Sequence, residues 1–231
     1  MPRTDYHCHI LPGIDDGPVD RKSSVEMARI LADAGFNEVY CTPHLIKGLY
    51  EVSQDDVLNE RELLQRELER EGIRLKLLVG REYYLDEFFP DFIRQPQCLE
   101  GTRMIMIEIP NHASVDIAKE CFFTVCSRGY TPMVAHPERC RLLLRESNGQ
   151  AGGGMFAKGW LFGGRKRSGN EMRESELLGY LKTLGCQFQG NLGSFAGMYG
   201  GGVKSSAEYF RSSGLYTHEG TDAHSPDAAR F

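Results

Sequence analysis

Long apolar runs are missing from this chain. No stretch approaches the ~18–20 residues that a membrane-spanning helix needs, so no span is expected, and the mean hydropathy is −0.39. An excess of positive charge is missing too. Lys and Arg number 27 against 32 Asp and Glu, a net charge of −5, which argues against a dedicated nucleic-acid binder, whose affinity comes from clustered cations meeting phosphates. Paired-cysteine patterning is absent. The seven cysteines (Cys8, Cys41, Cys98, Cys121, Cys126, Cys140 and Cys186) are odd in number and contain no C-x-x-C, so a reduced, cytoplasmic protein is expected rather than a secreted disulfide scaffold. None has an arginine six positions on, as a cysteine-based phosphatase loop requires; Cys140 comes nearest, with Arg145 one position short. The N-terminus lacks a basic-then-apolar leader pattern. The glycine run before Val203-Lys204-Ser205 lacks the Gly-Lys pair of a phosphate loop, and it reads as a loop after the sixth strand.

What is present is an alternation. The length, 231 residues, suits one large or two small domains and buries a core without staples. Short apolar runs at 4–9, 37–42, 74–80, 103–109, 130–135, 186–191 and 215–221 read as buried parallel strands. Between them, 20–34 carries Val25, Ala28 and Leu31 at helical spacing, with Gly35 as its stop. The segment 53–71 opens Ser53-Gln54-Asp55-Asp56, a relative of the capping box, and aligns Val57, Leu64 and Leu68 on one face. In 115–127, Ile117, Cys121 and Val125 are expected to face the core. Strand–helix repetition implies an α/β fold, either a barrel or a doubly wound sheet. The segment 146–175 breaks the rhythm. It holds eight glycines by position (149, 152, 153, 154, 159, 163, 164 and 169), Trp160 and a basic triplet, Arg165-Lys166-Arg167, and reads as a flexible insertion.

Ionisable residues gather at or just after the strand C-terminal ends, where α/β folds build their sites. His7 and His9 close the first strand, and Asp16 follows in its loop. His44 comes after Cys41-Thr42-Pro43, Glu82 after Val79-Gly80-Arg81, and Glu108 ends Met104-Ile105-Met106-Ile107. His136 follows Val134-Ala135, and Asp222 and His224 end the last strand. Residues i and i+2 of a strand share a face, so His7 and His9 can reach one ion, and Asp222 and His224 repeat the spacing. Mixed imidazole and carboxylate donors suit Mn, Fe or Zn rather than a thiolate site. On the same alternation, Cys8 points to the opposite face and packs.

Together these stretches resemble the polymerase-and-histidinol-phosphatase (PHP) superfamily and, within it, the manganese-dependent bacterial protein-tyrosine phosphatases of capsular and exopolysaccharide loci. The stretches that carry the likeness are Asp5-Tyr6-His7-Cys8-His9-Ile10-Leu11-Pro12-Gly13-Ile14-Asp15-Asp16-Gly17-Pro18, Cys41-Thr42-Pro43-His44, Gly80-Arg81-Glu82-Tyr83-Tyr84, Ile107-Glu108-Ile109-Pro110, Ala135-His136-Pro137-Glu138-Arg139 and Thr221-Asp222-Ala223-His224-Ser225-Pro226. The resemblance implies a distorted (β/α)7 TIM-like barrel, one domain over 1–231 with the glycine-rich insertion as surplus length. It implies three divalent ions, manganese favoured, with Fe and Zn as alternatives. His7, His9, Glu82 and Asp222 would hold one ion. Glu82, Glu108 and His136 would hold the second, and Asp16, His44 and His224 the third. Arg139 and Arg230 would bind phosphate.

The implied reaction is attack of a metal-bound hydroxide on protein phosphotyrosine. The implied partner is the tyrosine-rich tail of a polysaccharide-synthesis kinase, with an oligomer left open. A PHP phosphatase for histidinol phosphate or a nucleotide, and a non-catalytic scaffold keeping the site, stand as alternatives. Asp5, Asp15, Glu138 and Tyr83 are expected behind the ligands. Gln189 and Asn191 resemble family positions that orient substrate or satisfy backbone. His112 and His218 fit no ligand position.

Overall fold

The computed structural model describes residues 3–146 and 172–230. In chain order its strands are β1 (Thr4–Cys8), β2 (Glu38–Cys41), β3 (His44–Leu45), β4 (Lys76–Val79), β5 (Glu82–Tyr84), β6 (Met104–Glu108), β7 (Thr131–Ala135), β8 (Leu144–Glu146), β9 (Met172–Glu174), β10 (Gln187–Asn191) and β11 (His218–Gly220). The helices are α1 (Arg21–Asp33), α2 (Gln54–Arg70), α3 (Phe89–Phe92), α4 (Val115–Ser127), α5 (Glu176–Thr183), α6 (Leu192–Ala196) and α7 (Gly201–Ser212), with a 3-10 turn over Pro137–Arg139.

The fold is mixed α/β with parallel sheets. One sheet runs β1-β2-β4 and a second runs β11-β10-β7-β6-β5-β3, every pair in both being parallel. Each of the seven runs read from sequence contains a strand. Two predicted runs continue after a break: β2 is followed by β3 beyond Thr42-Pro43, and β4 by β5 beyond Gly80-Arg81. Proline cannot donate to a ladder. At Gly80 an added Cβ would lie 2.4 Å from Leu99 Cδ2, so a larger residue at the second break would have to displace the Leu99 side chain.

Helix ends follow local rules. Asp20 caps α1 by accepting from Ser23 N at 2.8 Å, and Gly35 adopts φ +90° just past its end. Ser53 caps α2 through Asp56 N at 3.1 Å. Val57, Leu64 and Leu68 are all fully buried, as expected. Ile117 is not: it is 52% exposed, and the stripe that α4 buries is Ala118, Cys121, Phe122 and Val125. That stripe follows the i, i+3, i+4, i+7 spacing, which Ile117 leads by one residue.

Residues 201–212 form a helix rather than the expected loop. Burial of Ala207 and Phe210 offsets the roughly 1 kcal/mol that each glycine costs in a helix. The ends of the expected 146–175 insertion are ordered as well. β8 and β9 pair antiparallel, Leu144 opposite Glu174, and Ser175 caps α5 through Leu178 N at 3.1 Å. The rest of that segment, 147–171, lies outside the described residues.

Two large apolar clusters flank the strands. One packs α1 and α2 against β1, β2 and β4, and the other packs α4, α5 and α7 against the second sheet. A smaller one gathers Tyr40, Leu78, Met106 and Met133 from four strands. Ionisable groups at the strand C-terminal ends are left uncovered by apolar packing, and they converge there.

Candidate metal centre

β1 brings the first pair of imidazoles in. Gly220 of β11 lies so close that an added Cβ would stand 2.7 Å from both His7 N and His7 Cβ. Asp222 N donates to His7 O at 2.7 Å, and His9 N to Ala223 O at 3.0 Å. These bonds place the His7/His9 and Asp222/His224 pairs side by side. β3 and β5 contribute next: His44 and Glu82 are partners across a parallel pair, so their side chains share a face. β6 brings Glu108, in register with Tyr84. β7 ends in His136. His136 (φ +30°) and Asp222 (φ +51°) are the two non-glycine residues with positive φ among those described. Such backbone is costly and persists only where the surroundings impose it.

The side chains meet in three overlapping groups: His7, His9, Glu82 and Asp222; His9, Asp16, His44 and His224; and His44, Glu82 and Glu108. Within each, the donor atoms lie within 4.8 Å of one another. Glu82 is the hub. Its Oε2 is 3.3 Å from His7 Nε2, 3.3 Å from His9 Nε2 and 2.9 Å from His44 Nδ1, while its Oε1 is 3.0 Å from His136 Nε2. Asp222 Oδ1 is 3.2 Å from His7 Nε2 and 3.3 Å from His9 Nε2. Asp16, the most exposed member, sits 3.4 Å from His224 Nε2. The arrangement places His9 with Asp16, His44 and His224, and His44 with Glu82 and Glu108, beyond the grouping expected from sequence. His136 joins through Glu82 and by stacking on the His7 ring.

A layer behind these groups orients them. His9 Nδ1 is 2.7 Å from Asp15 Oδ2, which also accepts from His44 N at 2.9 Å. His7 Nδ1 is 2.9 Å from Gln189 Oε1, an oxygen that accepts in addition from His136 N at 3.2 Å. His224 Nδ1 is 2.9 Å from Asp222 O. Each acceptor keeps a proton on Nδ1 and leaves Nε2 turned to the cluster, the usual support of a ligating imidazole.

Asp15 therefore occupies the place expected of it. Asp5 does not: it accepts from His7 N and from Thr221, and so ties backbone rather than an imidazole. Tyr83 is a core residue whose hydroxyl accepts from Gln97 N at 2.7 Å. Glu138 is one step further back, accepting from Asn191 N and Tyr216 OH. Asn191 donates to Asp222 Oδ2 at 3.0 Å.

The two arginines part company. Arg139 Nη2 lies 2.5 Å from Asp222 Oδ2, and the residue lines the cavity over the cluster together with Asp16, His44, Glu108, His136, Tyr199, Asp222 and His224. Arg230 instead donates to Glu26 of α1 at 3.0 Å, with its side chain more than half exposed, and it is not among the residues lining that cavity. The turn after His224 directs it outward, to a carboxylate on α1. His112 and His218 stay outside the groups, beside Tyr84 and Tyr6 respectively. Tyr199 carries no motif, and the one sequence signal for it is its place in a glycine-bounded turn.

The electrostatics are those of a site short of positive charge. Burial raises Glu108, the neighbouring Glu82 carboxylate raises it further, and its pKa stands at about 7. Burial opposes ionisation of Glu82 and Asp222 too, but the imidazoles around them, joined at Asp222 by Arg139, hold both well below the carboxylate range. Burial and Arg139 push His136 down to about 4, leaving it neutral and free to donate a lone pair. Glu82 Oε2 and His44 Nδ1 are buried 2.9 Å apart, and neither has a partner in hydrogen-bonding geometry. Orphaned acceptors converging in a group of imidazoles and carboxylates fit divalent cations. Burial raises the pKa of all seven cysteine thiols, so no thiolate nucleophile is prepared anywhere.

Comparison with known proteins agrees with this site. The chain is 31% identical over 230 residues to the tyrosine-protein phosphatase YwqE of Bacillus subtilis, covering 98% of this chain and 79% of that protein. It is 28% identical over 141 residues to the tyrosine-protein phosphatase CpsB of Streptococcus agalactiae, covering 60% of this chain and 58% of that protein. Crystal structures described as YwqE from Bacillus subtilis and CpsB from Streptococcus pneumoniae, unique metal-dependent tyrosine phosphatases, include one that matches at a TM-score of 0.77 and 29% identity. That match covers 98% of this chain and 81% of the other. Among the described residues no helix is long and apolar enough to cross a membrane. Residues 3–151 match the family described as capsular polysaccharide synthesis, CpsB/CapC, and the chain belongs to that family.

Proposed function

We propose that this chain is a metal-dependent protein-tyrosine phosphatase of capsular or exopolysaccharide synthesis, acting on the tyrosine-phosphorylated tail of a polysaccharide-synthesis kinase. The observation that carries the reading is Glu82, fully buried and ringed by His7, His9, His44 and His136. Such a carboxylate would be well placed to hold divalent cations. On this reading His7, His9, Glu82 and Asp222 hold one cation. Glu82, Glu108 and His136, with His44 beside them, hold a second, and Asp16, His44 and His224 a third. Manganese is the favoured occupant, and Fe and Zn suit the same donors. We also read the two sheets as halves of a distorted (β/α)7 barrel in a single domain. The parallel bridge between Cys8 and Ala223 supports closure on one side and the β2–β3 and β4–β5 continuations support it on the other.

When bound, the cations supply positive charge against the phosphoryl oxygens and make a nearby water acidic. The chain's own groups do the rest. Arg139 offers a planar fork suited to phosphate oxygens. Gln189, Asp15 and the Asp222 carbonyl hold the imidazoles in one tautomer. His136, kept neutral, does not compete for the substrate's charge. A phenolate with a pKa of about 10 leaves with little help from an acid. Open space lies beside Arg139, in cavities of about 400 and 820 Å3.

The test is to strip the protein with a chelator, reload it with Mn2+, and compare a phosphotyrosine peptide with histidinol phosphate. Faster hydrolysis of the peptide supports the reading. The reverse preference replaces it with a small-molecule phosphatase, and no turnover of either points to a scaffold.

A further inference from the structure

Arg139 stands at a junction. It lines the cavity over the cluster, of about 350 Å3, and both neighbouring cavities. Tyr199 shares two of these, the cluster cavity and the 820 Å3 one. The Tyr199 ring faces the Arg139 guanidinium, with Cζ 4.8 Å from the ring centroid, a cation–π distance. The other tie on that guanidinium is Asp222, the carboxylate that the reading above assigns to a cation. Arg139 Nε is buried and has no hydrogen-bond partner.

The seat of Tyr199 is built rather than incidental. Gly197 (φ +88°) and Gly200 (φ +90°) bracket it, and Met198 N donates to Gly193 O at 3.0 Å. A Cβ on Gly193 would come within 3.2 Å of Tyr199 Cε2 and 3.0 Å of Met198 Sδ. The backbone of α6 therefore approaches the turn closely, and the ring packs against it although 40% exposed.

We propose that Tyr199 is a positioning residue for Arg139, holding the guanidinium at the mouth between the two cavities so that its planar fork meets the phosphate of an aromatic phosphomonoester. The physical reason is a division of labour. A carboxylate drawn to a cation holds an arginine less firmly, whereas a ring quadrupole keeps its hold whatever the charge at Asp222. The proposal rests on the phosphatase reading.

The experiment measures inorganic phosphate binding to the Mn2+-loaded full chain by calorimetry, together with kcat and KM on a phosphotyrosine peptide. The variants are Tyr199→Phe, Tyr199→Leu, Tyr199→Met, Arg139→Ala and the Arg139→Ala/Tyr199→Leu double, with Tyr199→Met serving if Tyr199→Leu fails to fold. Loss of the aromatic face should weaken phosphate binding and raise KM about tenfold. Tyr199→Phe should restore both to within about threefold, and the double variant should be no weaker than Arg139→Ala. Wild-type phosphate affinity in Tyr199→Leu and Tyr199→Met, alongside a loss in Arg139→Ala, would overturn the role of Tyr199 and leave the phosphatase reading standing. Additive losses would overturn it equally, and wild-type affinity in Arg139→Ala would overturn the phosphate assignment and Tyr199's role with it.

Discussion

Gln189→Leu is the most informative single perturbation of the layer behind the cluster. Gln189 is fully buried on β10, and one oxygen serves two donors, His7 Nδ1 at 2.9 Å and His136 N at 3.2 Å. Leucine matches the volume and removes that acceptor. Two buried N–H groups then lose their partner, at about 1–3 kcal/mol each. Allowing for relaxation, the net loss is about 2–4 kcal/mol, which for a chain of this size lowers the melting temperature by roughly 5–15 °C. The same change frees the His7 tautomer, and losing such a partner typically costs 10- to 100-fold in metal affinity or activity. Thermal melts of chelator-treated protein read the first effect. A Mn2+ titration of phosphotyrosine-peptide turnover reads the second. Gln189→Glu separates them, because it keeps an acceptor for both donors while adding a charge, so metal affinity should survive even where stability does not. A Gln189→Leu protein with the wild-type Mn2+ midpoint would refute the claim that this amide sets the imidazole.

Further outcomes follow from the same geometry. His136→Ala should abolish turnover, whereas Cys8→Ser should keep much of it, since Cys8 lies in the apolar cluster beneath β1; complete loss in the serine variant, measured with folded protein, would reopen thiol chemistry. Asp15 is opposed by burial, yet its bond to His9 holds it down at about 2, below its ordinary 3.8. Its contribution of about 2–3 kcal/mol is therefore present above roughly pH 4 and lost as pH falls toward 2, so the melting gap between wild type and Asp15→Asn in chelator should be widest above pH 4 and close below it; a gap that grows on acidification would contradict this. Gly220→Ala should destabilise the fold by at least 1 kcal/mol and weaken Mn2+ binding together, because the new methyl meets His7 N and Cβ at 2.7 Å; an unchanged melting curve would show that β1 and β11 shift apart freely.

Much of the site was legible in the sequence, for a physical reason. Strand alternation places i and i+2 on one face, so His7 with His9 and Asp222 with His224 announce paired donors before any fold is known. Strand ends and helix caps are equally local, and Asp20, Ser53 and Gly35 act as their types require. Helix phase is less forgiving. Ile117 fits the spacing with Cys121 and Val125, yet it points to solvent, because two neighbouring stripes of a helix satisfy the same count. The helix at 201–212 was illegible because its glycines argue against it locally, while Ala207 and Phe210 are rewarded only once a core exists to receive them.

The sequence by itself determined the donor types, their order along the chain and the strand ends that carry them, because these depend on residue chemistry and on a period of two. Tertiary structure alone decided how the donors divide, since Glu82 meets four imidazoles from three separate stretches of chain. It also decided that the acceptor behind His7 is an amide 182 positions away and that Arg230 turns to Glu26 while Arg139 turns to the cluster. The left-handed backbone at His136 and Asp222 belongs to the same class, for histidine and aspartate tolerate it better than most residues but still at a cost that converging contacts must offset. Distances between residues far apart in sequence are set by packing, and packing is what a one-dimensional pattern does not contain.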